Sequence, residues 1–390
     1  MREAASSAGR ELFIAGGNLA FAPPRTDAVV LHLVDGVIAG LVAAAPAGAP
    51  ILDATGHWLA PMLVDAHVHL AVAARAAAIG TGGRSSHGSA AADERMALRS
   101  LAREMLEGGV AGALDLGLPE RLLSALPPLG EANFLVRSSG PLLTAAGGYP
   151  SQSWGRDGYG LALTTAAGAR EAVARLAGAG AHAVKLALDR RFPLLAPEVA
   201  QAAAREGHAR GLRVFAHALD AAAVRAALDA GADVLAHAPT EPLPDDLVRE
   251  AGARGLHVIS TLHALGGSSA QLDNLARLRA AGCAVVYGTD LGNEGTAPGA
   301  CARELELLAA AGLAPAEIFL AATALPAALL GAPLLGKLCA GAPAHLLALA
   351  QDPRGDASAL ARPAFLMVAG AVVGSAARSA RDGRGRGGDP

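Results

Sequence analysis

The chain has 390 residues and a formal charge of -3, room enough for one large barrel-type domain with an appendage or for two or three ordinary domains. That charge balance supplies no basic face of the kind nucleic-acid binders carry, which excludes a phosphate-backbone partner. The apolar fraction of 52% is swollen by alanine.

The segment Met1 to Gly17 carries Arg2, Glu3, Arg10 and Glu11 and lacks the apolar stretch of a signal peptide, so a cytoplasmic location is expected. Short strands follow at Leu12–Phe21, Ala28–Leu33 and Val37–Val42, the last two joined by the turn Asp35-Gly36. From Leu63 to Leu313 short β-branched or apolar runs alternate with alanine-rich helical stretches, the pattern of repeated βα units. The predicted strands are Met62–His69, Val110–Leu116, Asn133–Ser138, Ala183–Leu188, Leu212–His217, Asp233–His237, Leu256–Thr261 and Ala284–Thr289. Several helices between them finish on glycine, as Ala221–Ala230 does before Gly231.

Eight such units predict an α/β fold of the (β/α)8 TIM barrel type spanning residues 61–338. Strands at Leu346–Ala350, Ala364–Val368 and Val372–Val373 repeat the style of the first flank. Residues 1–60 and 339–376 are therefore expected to form the two halves of one small β-sandwich. Residues 377–390, rich in Arg, Gly and Asp, read as a disordered tail. Ile318 to Gly336 is long and uncharged, but Pro326, Gly331 and Pro333 interrupt it. It reads as a buried helix and turn, with no membrane partner. Cys283, Cys301 and Cys339 are too few and too scattered for a disulfide framework.

Only two of the 32 basic side chains are lysines, Lys185 and Lys337. Lys185 stands in the apolar run Ala181 to Leu188, and a lysine, unlike an arginine, loses its proton readily when buried. Pro61-Met62-Leu63-Val64-Asp65-Ala66-His67-Val68-His69 places two histidines two apart at the end of the first barrel strand, where alternation sends both rings to one face. His217 ends the fifth strand, His237 ends the sixth, and Asp290 follows the eighth in Gly288-Thr289-Asp290. The C-terminal strand ends of such a barrel share one face, so these distant polar groups can converge there.

With these motifs and the lead-in Asp53-Ala54-Thr55-Gly56, the chain resembles the amidohydrolase superfamily almost end to end, in its imidazolonepropionase-like and prolidase-like branch. The resemblance implies two divalent metal ions, zinc being the first expectation, bridged by a carboxylated Lys185. It also implies that His67, His69 and Asp290 hold the more buried ion and His217 and His237 the more exposed one. A hydroxide bridging the metals would attack a carbonyl, with Asp290 as general base and then general acid. The implied reaction is hydrolysis of a non-peptide amide, a cyclic amide or a dipeptide. Esters, lactones and phosphoesters stay open because the same hydroxide attacks them, and a catalytically silent scaffold is the reading from another class.

The partner expected is a small molecule, with self-association left open. Tyr149, in the loop Thr144 to Gly160 where relatives often carry histidine, His263 and Asn293 are read as substrate contacts. Glu294 is a further pocket candidate and His87 lies in a loop that could close over the site. Arg84 and Arg156 are the candidate carboxylate clamps, and Asp115 reads as a strand-end anchor. The chain departs from the family pattern at Met62, where glycine is usual, and near His345, where an aspartate is usual.

Overall fold

Eight parallel strands wind once around a closed barrel in the computed structural model, which describes residues 10–21, 30–80, 90–126 and 133–375. The barrel strands are, in order, Leu63–Val68, Val110–Asp115, a third in two pieces, Ala183–Ala187, Arg213–His217, Val234–Leu235, His257–Ile259 and Ala284–Val286. Each pairs in parallel with the next. Closure comes from the first and last strands, where Ala66 N–H donates to Tyr287 O at 3.1 Å and Asp290 N–H to His67 O at 2.8 Å.

The third strand corrects the sequence reading, which ended it at Ser138. It runs Leu135–Ser138, breaks at Ser139-Gly140-Pro141, and resumes as Leu142–Thr144. Gly140 takes a left-handed conformation, φ 70°, and Pro141 has no N–H to give the ladder. The second piece pairs with the lysine strand on one side and with Gly160–Ala162 on the other, an edge strand absent from the expectation.

The helices pack outside the barrel, and their ends are set by local chemistry. Thr165 caps Ala166–Gly178 by accepting from Gly168 N–H, and Asp220 caps Ala221–Ala230 by accepting from Ala223 N–H. Ser268 and Gln271 form a reciprocal capping box on Ser269–Ala280. Gly231 closes its helix at φ 88°, where a side chain would be strained.

Two sheets flank the barrel. One joins Val37–Val42, Val30–Val34, Glu11–Ala15 and Ile51–Asp53. The other joins Ala371–Ser375, Phe365–Val368, Leu346–Leu349, Trp58–Pro61 and Asn18–Leu19, so both ends of the chain contribute to it. Ile14, Leu31, Leu33 and Ile38 bury against Leu59, Leu346 and Met367 in a core separate from that of the barrel. Trp58–Pro61, not foreseen as a strand, leads straight into the first barrel strand, and Met62 N–H donates to His345 O at 3.1 Å.

Two helices, Pro315–Ala322 and Ala324–Leu329, occupy the uncharged stretch. Among the described residues no helix is long and apolar enough to cross a membrane. The three cysteines form no disulfide. Arg84, His87 and the tail 377–390 lie outside the described residues.

Candidate metal centre

On the first strand, Asp65, His67 and His69 share a face because they alternate. His67 Nδ1 lies 2.8 Å from the carbonyl oxygen of Ala236. A carbonyl can only accept, so Nδ1 carries the proton and Nε2 presents its lone pair to the barrel mouth. That Nε2 is 3.3 Å from His69 Nε2 and 3.3 Å from Asp290 Oδ1, while His69 Nε2 is 3.2 Å from the same oxygen. One atom from each of the three side chains, all buried, falls within 4.8 Å of the others.

A second pair of imidazoles stands beside this triad. His217 Nδ1 and His237 Nε2 approach to 2.9 Å. His237 Nδ1 is 3.0 Å from the hydroxyl of Thr261 and 3.8 Å from Asp290 Oδ2. His217 Nε2 looks toward Asp189 Oδ2 at 3.9 Å. With the outer nitrogen of each ring facing an oxygen, the two inner nitrogens are left to converge on one point.

Lys185 projects from the fourth strand to the same side as His217, their strands being in register at Ala187 and His217. It is 1% exposed, and its Nζ has no hydrogen-bond partner among the described residues. Asp290 Oδ1 likewise accepts no hydrogen bond. A buried amine and a buried carboxylate oxygen without partners are costly unless a further group satisfies them. The donor set of imidazole nitrogens with one carboxylate fits a zinc-like divalent ion.

Electrostatics agree. Burial draws the Lys185 ammonium down to about 7, against the opposing pull of Asp290. Burial, then the nearby Lys185, lowers His217 to about 3 and takes His67 well below the usual histidine range. His237 is lowered in the same sense, chiefly by burial. Burial alone would raise Asp290, yet the surrounding imidazoles of His67, His69 and His237 hold it well below the usual carboxylate range. Neutral imidazoles and an ionised aspartate are the states that bind a cation.

A layer of polar groups that sequence reasoning missed fixes these side chains. The Asp65 carboxylate accepts from His67 N–H at 3.0 Å, Thr289 N–H at 3.0 Å and the Thr289 hydroxyl at 2.5 Å. It ties the strand bearing the first two histidines to the turn bearing Asp290. Its place two before His67, on the same face, was a readable signal. Glu304, on the helix Ala302–Ala310, is wholly buried and accepts from Leu262 N–H at 3.0 Å and His263 N–H at 2.6 Å. Nothing in the sequence pattern marks it. Asp115 anchors a strand end as expected, accepting from Leu70 N–H at 2.8 Å and Gly117 N–H at 2.9 Å.

A cavity of about 170 Å³ opens over the centre, lined by His69, Lys185, His217, His237 and Asp290 together with the expected Tyr149 and Asn293. Glu294 lines it too. His263 does not: its backbone is held by Glu304 and its Nε2 sits 3.4 Å from the Gly295 carbonyl. Trp154, a residue without an expected role, forms part of the wall. Its ring lies 4.9 Å from that of His69, and its indole N–H donates to the Tyr149 hydroxyl at 3.1 Å. Tyr149 in turn stacks on His217 at 4.6 Å, with burial pushing its phenol up to about 12.

Comparison with known proteins gives this arrangement its relatives. The chain is 28% identical over 379 residues to an uncharacterized protein of Mycobacterium tuberculosis, covering 90% of this chain and 94% of that one. Among solved structures it is similar to a Xaa-Pro dipeptidase with methionine bound in its active site, with a TM-score of 0.76 and 17% identity, over 93% of this chain and 100% of the other. It is also similar to molinate hydrolase, with a TM-score of 0.72 and 18% identity, over 94% and 95%. At those identities the two structures speak for the fold alone. Residues 58–374 match the model of the amidohydrolase family, and the chain belongs to that family.

Proposed function

We propose that the protein is a binuclear metal-dependent hydrolase that cleaves carbon–nitrogen bonds in small carboxamides or cyclic amides. The observation that carries this reading is the convergence of two histidine pairs on Asp290, beside a buried lysine whose amine has no partner. His67, His69 and Asp290 would hold one ion, His217 and His237 the other, and Lys185, carboxylated, would reach both. With its pKa near 7, the Lys185 amine is neutral often enough to form a bond from nitrogen to the carbon of CO2, losing one proton. Two divalent ions, zinc foremost, supply Lewis acidity and lower the pKa of water at such a site.

The chain's own residues then have defined tasks. Asp290, held ionised, takes the proton of the attacking water as the carbon–oxygen bond forms, and gives it to the nitrogen as the carbon–nitrogen bond breaks. Tyr149 stays a neutral phenol and keeps its hydroxyl hydrogen for a substrate oxygen. Asn293 spends its amide on the Asp290 carbonyl at 2.9 Å, which holds the turn carrying the proton shuttle. The 170 Å³ cavity is below the ~300–1,000 Å³ common for drug-sized ligands, which favours a small substrate.

Metal analysis of protein purified without chelator, then supplied with zinc and bicarbonate, tests the proposal. Two equivalents of metal, with turnover on a panel of small amides, is the expected result. Well under one equivalent of metal would defeat the reading, and would leave the scaffold alternative standing.

A further inference from the structure

We infer that the substrate is an uncharged amide bearing a flat or apolar group and no carboxylate, selected by an aromatic wall at Tyr149 and Trp154 and by the carboxylate of Glu294. This deepens the function proposed above and rests on it for the position of the reacting carbonyl.

Once the five residues of the metal centre that line it are set aside, the cavity lining is Val72, Leu142, Tyr149, Trp154, Gly292, Asn293 and Glu294. The two aromatic rings are locked to each other by the indole N–H to phenol bond, and each rests on one histidine pair, Trp154 on His69 and Tyr149 on His217. The wall therefore spans both halves of the centre. A planar group entering the cavity meets ring faces and aliphatic carbon, the surfaces on which aromatic and apolar groups gain most.

A substrate carboxylate would meet the opposite. Among the described residues, Lys185 is the sole lysine or arginine lining the cavity, and it belongs to the centre. Arg191 is close enough to influence Tyr149, but Asp189 holds it through a two-pronged contact, Nε at 3.0 Å and Nη2 at 2.7 Å. Arg156, one of the two expected clamps, turns its guanidinium to the Gln152 carbonyl at 3.5 Å and does not line the cavity. The Asn293 amide is already engaged. Glu294, exposed and lining the cavity, forms no ion pair among the described residues. Away from the centre itself, an anionic group entering there would lose hydration, find no unpaired lysine or arginine among the described residues, and face the Glu294 carboxylate.

The chain offers its own reporter. Trp154 is one of two tryptophans, and the other, Trp58, lies in the flanking sheet with the Arg354 guanidinium 4.1 Å from its ring centre. Zinc-loaded Trp58→Phe protein, titrated with benzamide and with 4-carbamoylbenzoate, reads binding through Trp154 fluorescence, with calorimetry on the unmutated protein in parallel. Benzamide is expected to bind on the order of tenfold more tightly than its carboxylate analogue, and Glu294→Gln to narrow that ratio several-fold by improving binding of the anion. Equal or tighter binding of 4-carbamoylbenzoate, or no binding of either compound, overturns the inference. Benzamide that binds and is never hydrolysed counts against the proposed reaction while the selectivity stands.

Discussion

The Thr261 hydroxyl lies 3.0 Å from His237 Nδ1, and Thr261 reaches that position from a left-handed backbone, φ 42°, which a β-branched residue rarely adopts. The next two N–H groups, those of Leu262 and His263, both donate to the buried Glu304 carboxylate. Glu304 thus acts as a positioning residue: it holds the strained turn, the turn holds the hydroxyl, and the hydroxyl fixes the orientation of the His237 ring, with Nε2 facing His217. Burial raises Glu304 to about 7 despite these bonds, so the carboxylate is kept there at some cost to the fold.

Substitution along this chain of contacts separates control of the ring's orientation from simple packing. Thr261→Val should weaken divalent-metal binding by ~10–100-fold, the usual effect of removing a group that orients a ligand, while Thr261→Ser should restore it. Glu304→Gln should cost about 1–3 kcal/mol in stability and shift the His237 ring nitrogen resonances of the metal-free protein. An unchanged His237 spectrum in both Thr261→Val and Glu304→Gln would show that the turn does not set the ring.

Lys185 makes a prediction about pH that requires no metal. Its ammonium is drawn from 10.5 to about 7 by burial in the folded chain, so between those values the unfolded chain binds more protons than the folded one. Stability of the metal-free protein therefore rises with pH across that window through this group. Lys185→Met removes the group and its desolvation cost. The variant should exceed the parent by a few kcal/mol at pH 7, with the gap closing toward pH 10, as measured by denaturant titration at each pH. A gap independent of pH would mean that Lys185 is not held neutral. The same variant should bind little metal.

How far the sequence could be read follows from these cases. The barrel was legible because alternating βα units repeat with glycine-ended helices, and the six polar residues could be singled out because each lies at or near the mouth end of its strand. Asp65 could have been added by extending the same alternation two residues back. Glu304 could not: a glutamate in the first turn of a surface helix is ordinary, and its burial depends on where helix Ala302–Ala310 packs. The break at Gly140-Pro141 was visible as residues, but its use, continuing the third strand after a step, is a tertiary outcome. Trp154 was distinctive only by rarity, and its contact with His69 depends on the path of the whole loop.

Asp290 carries the reaction in the proposed function, and its conformation is also unusual, φ 53°. The turn is held by Asn293, and by Asp65 through Thr289. Asp290→Asn keeps the shape and removes the charge, so turnover should fall by at least ~10²-fold, the scale of losing a general acid–base group. Asp65→Asn leaves Asp290 ionised but loosens the turn, and should reduce metal retention more than it alters the pH profile of the metal-loaded enzyme. Measuring metal content and pH-rate profiles for both variants separates the roles, and unchanged turnover in Asp290→Asn would remove it from the chemistry.

Glycine at 288 tests how tightly the centre is packed. A Cβ placed there would lie 2.4 Å from the Ile259 side chain and 3.0 Å from the His67 Cβ, contacts that side chains can relieve only by moving. His67 cannot move without breaking its 2.8 Å bond to the Ala236 carbonyl and turning its Nε2 away from Asp290. Gly288→Ala should therefore lower stability by ~1–3 kcal/mol, the usual cost of overpacking a core, and reduce metal affinity in a protein that still folds. At Gly117 the same addition would come within 2.6 Å of His69 Nδ1, so Gly117→Ala should also weaken metal binding. Circular dichroism with metal titration checks both variants, and full metal affinity in Gly288→Ala would show that His67 has more freedom than its contacts imply.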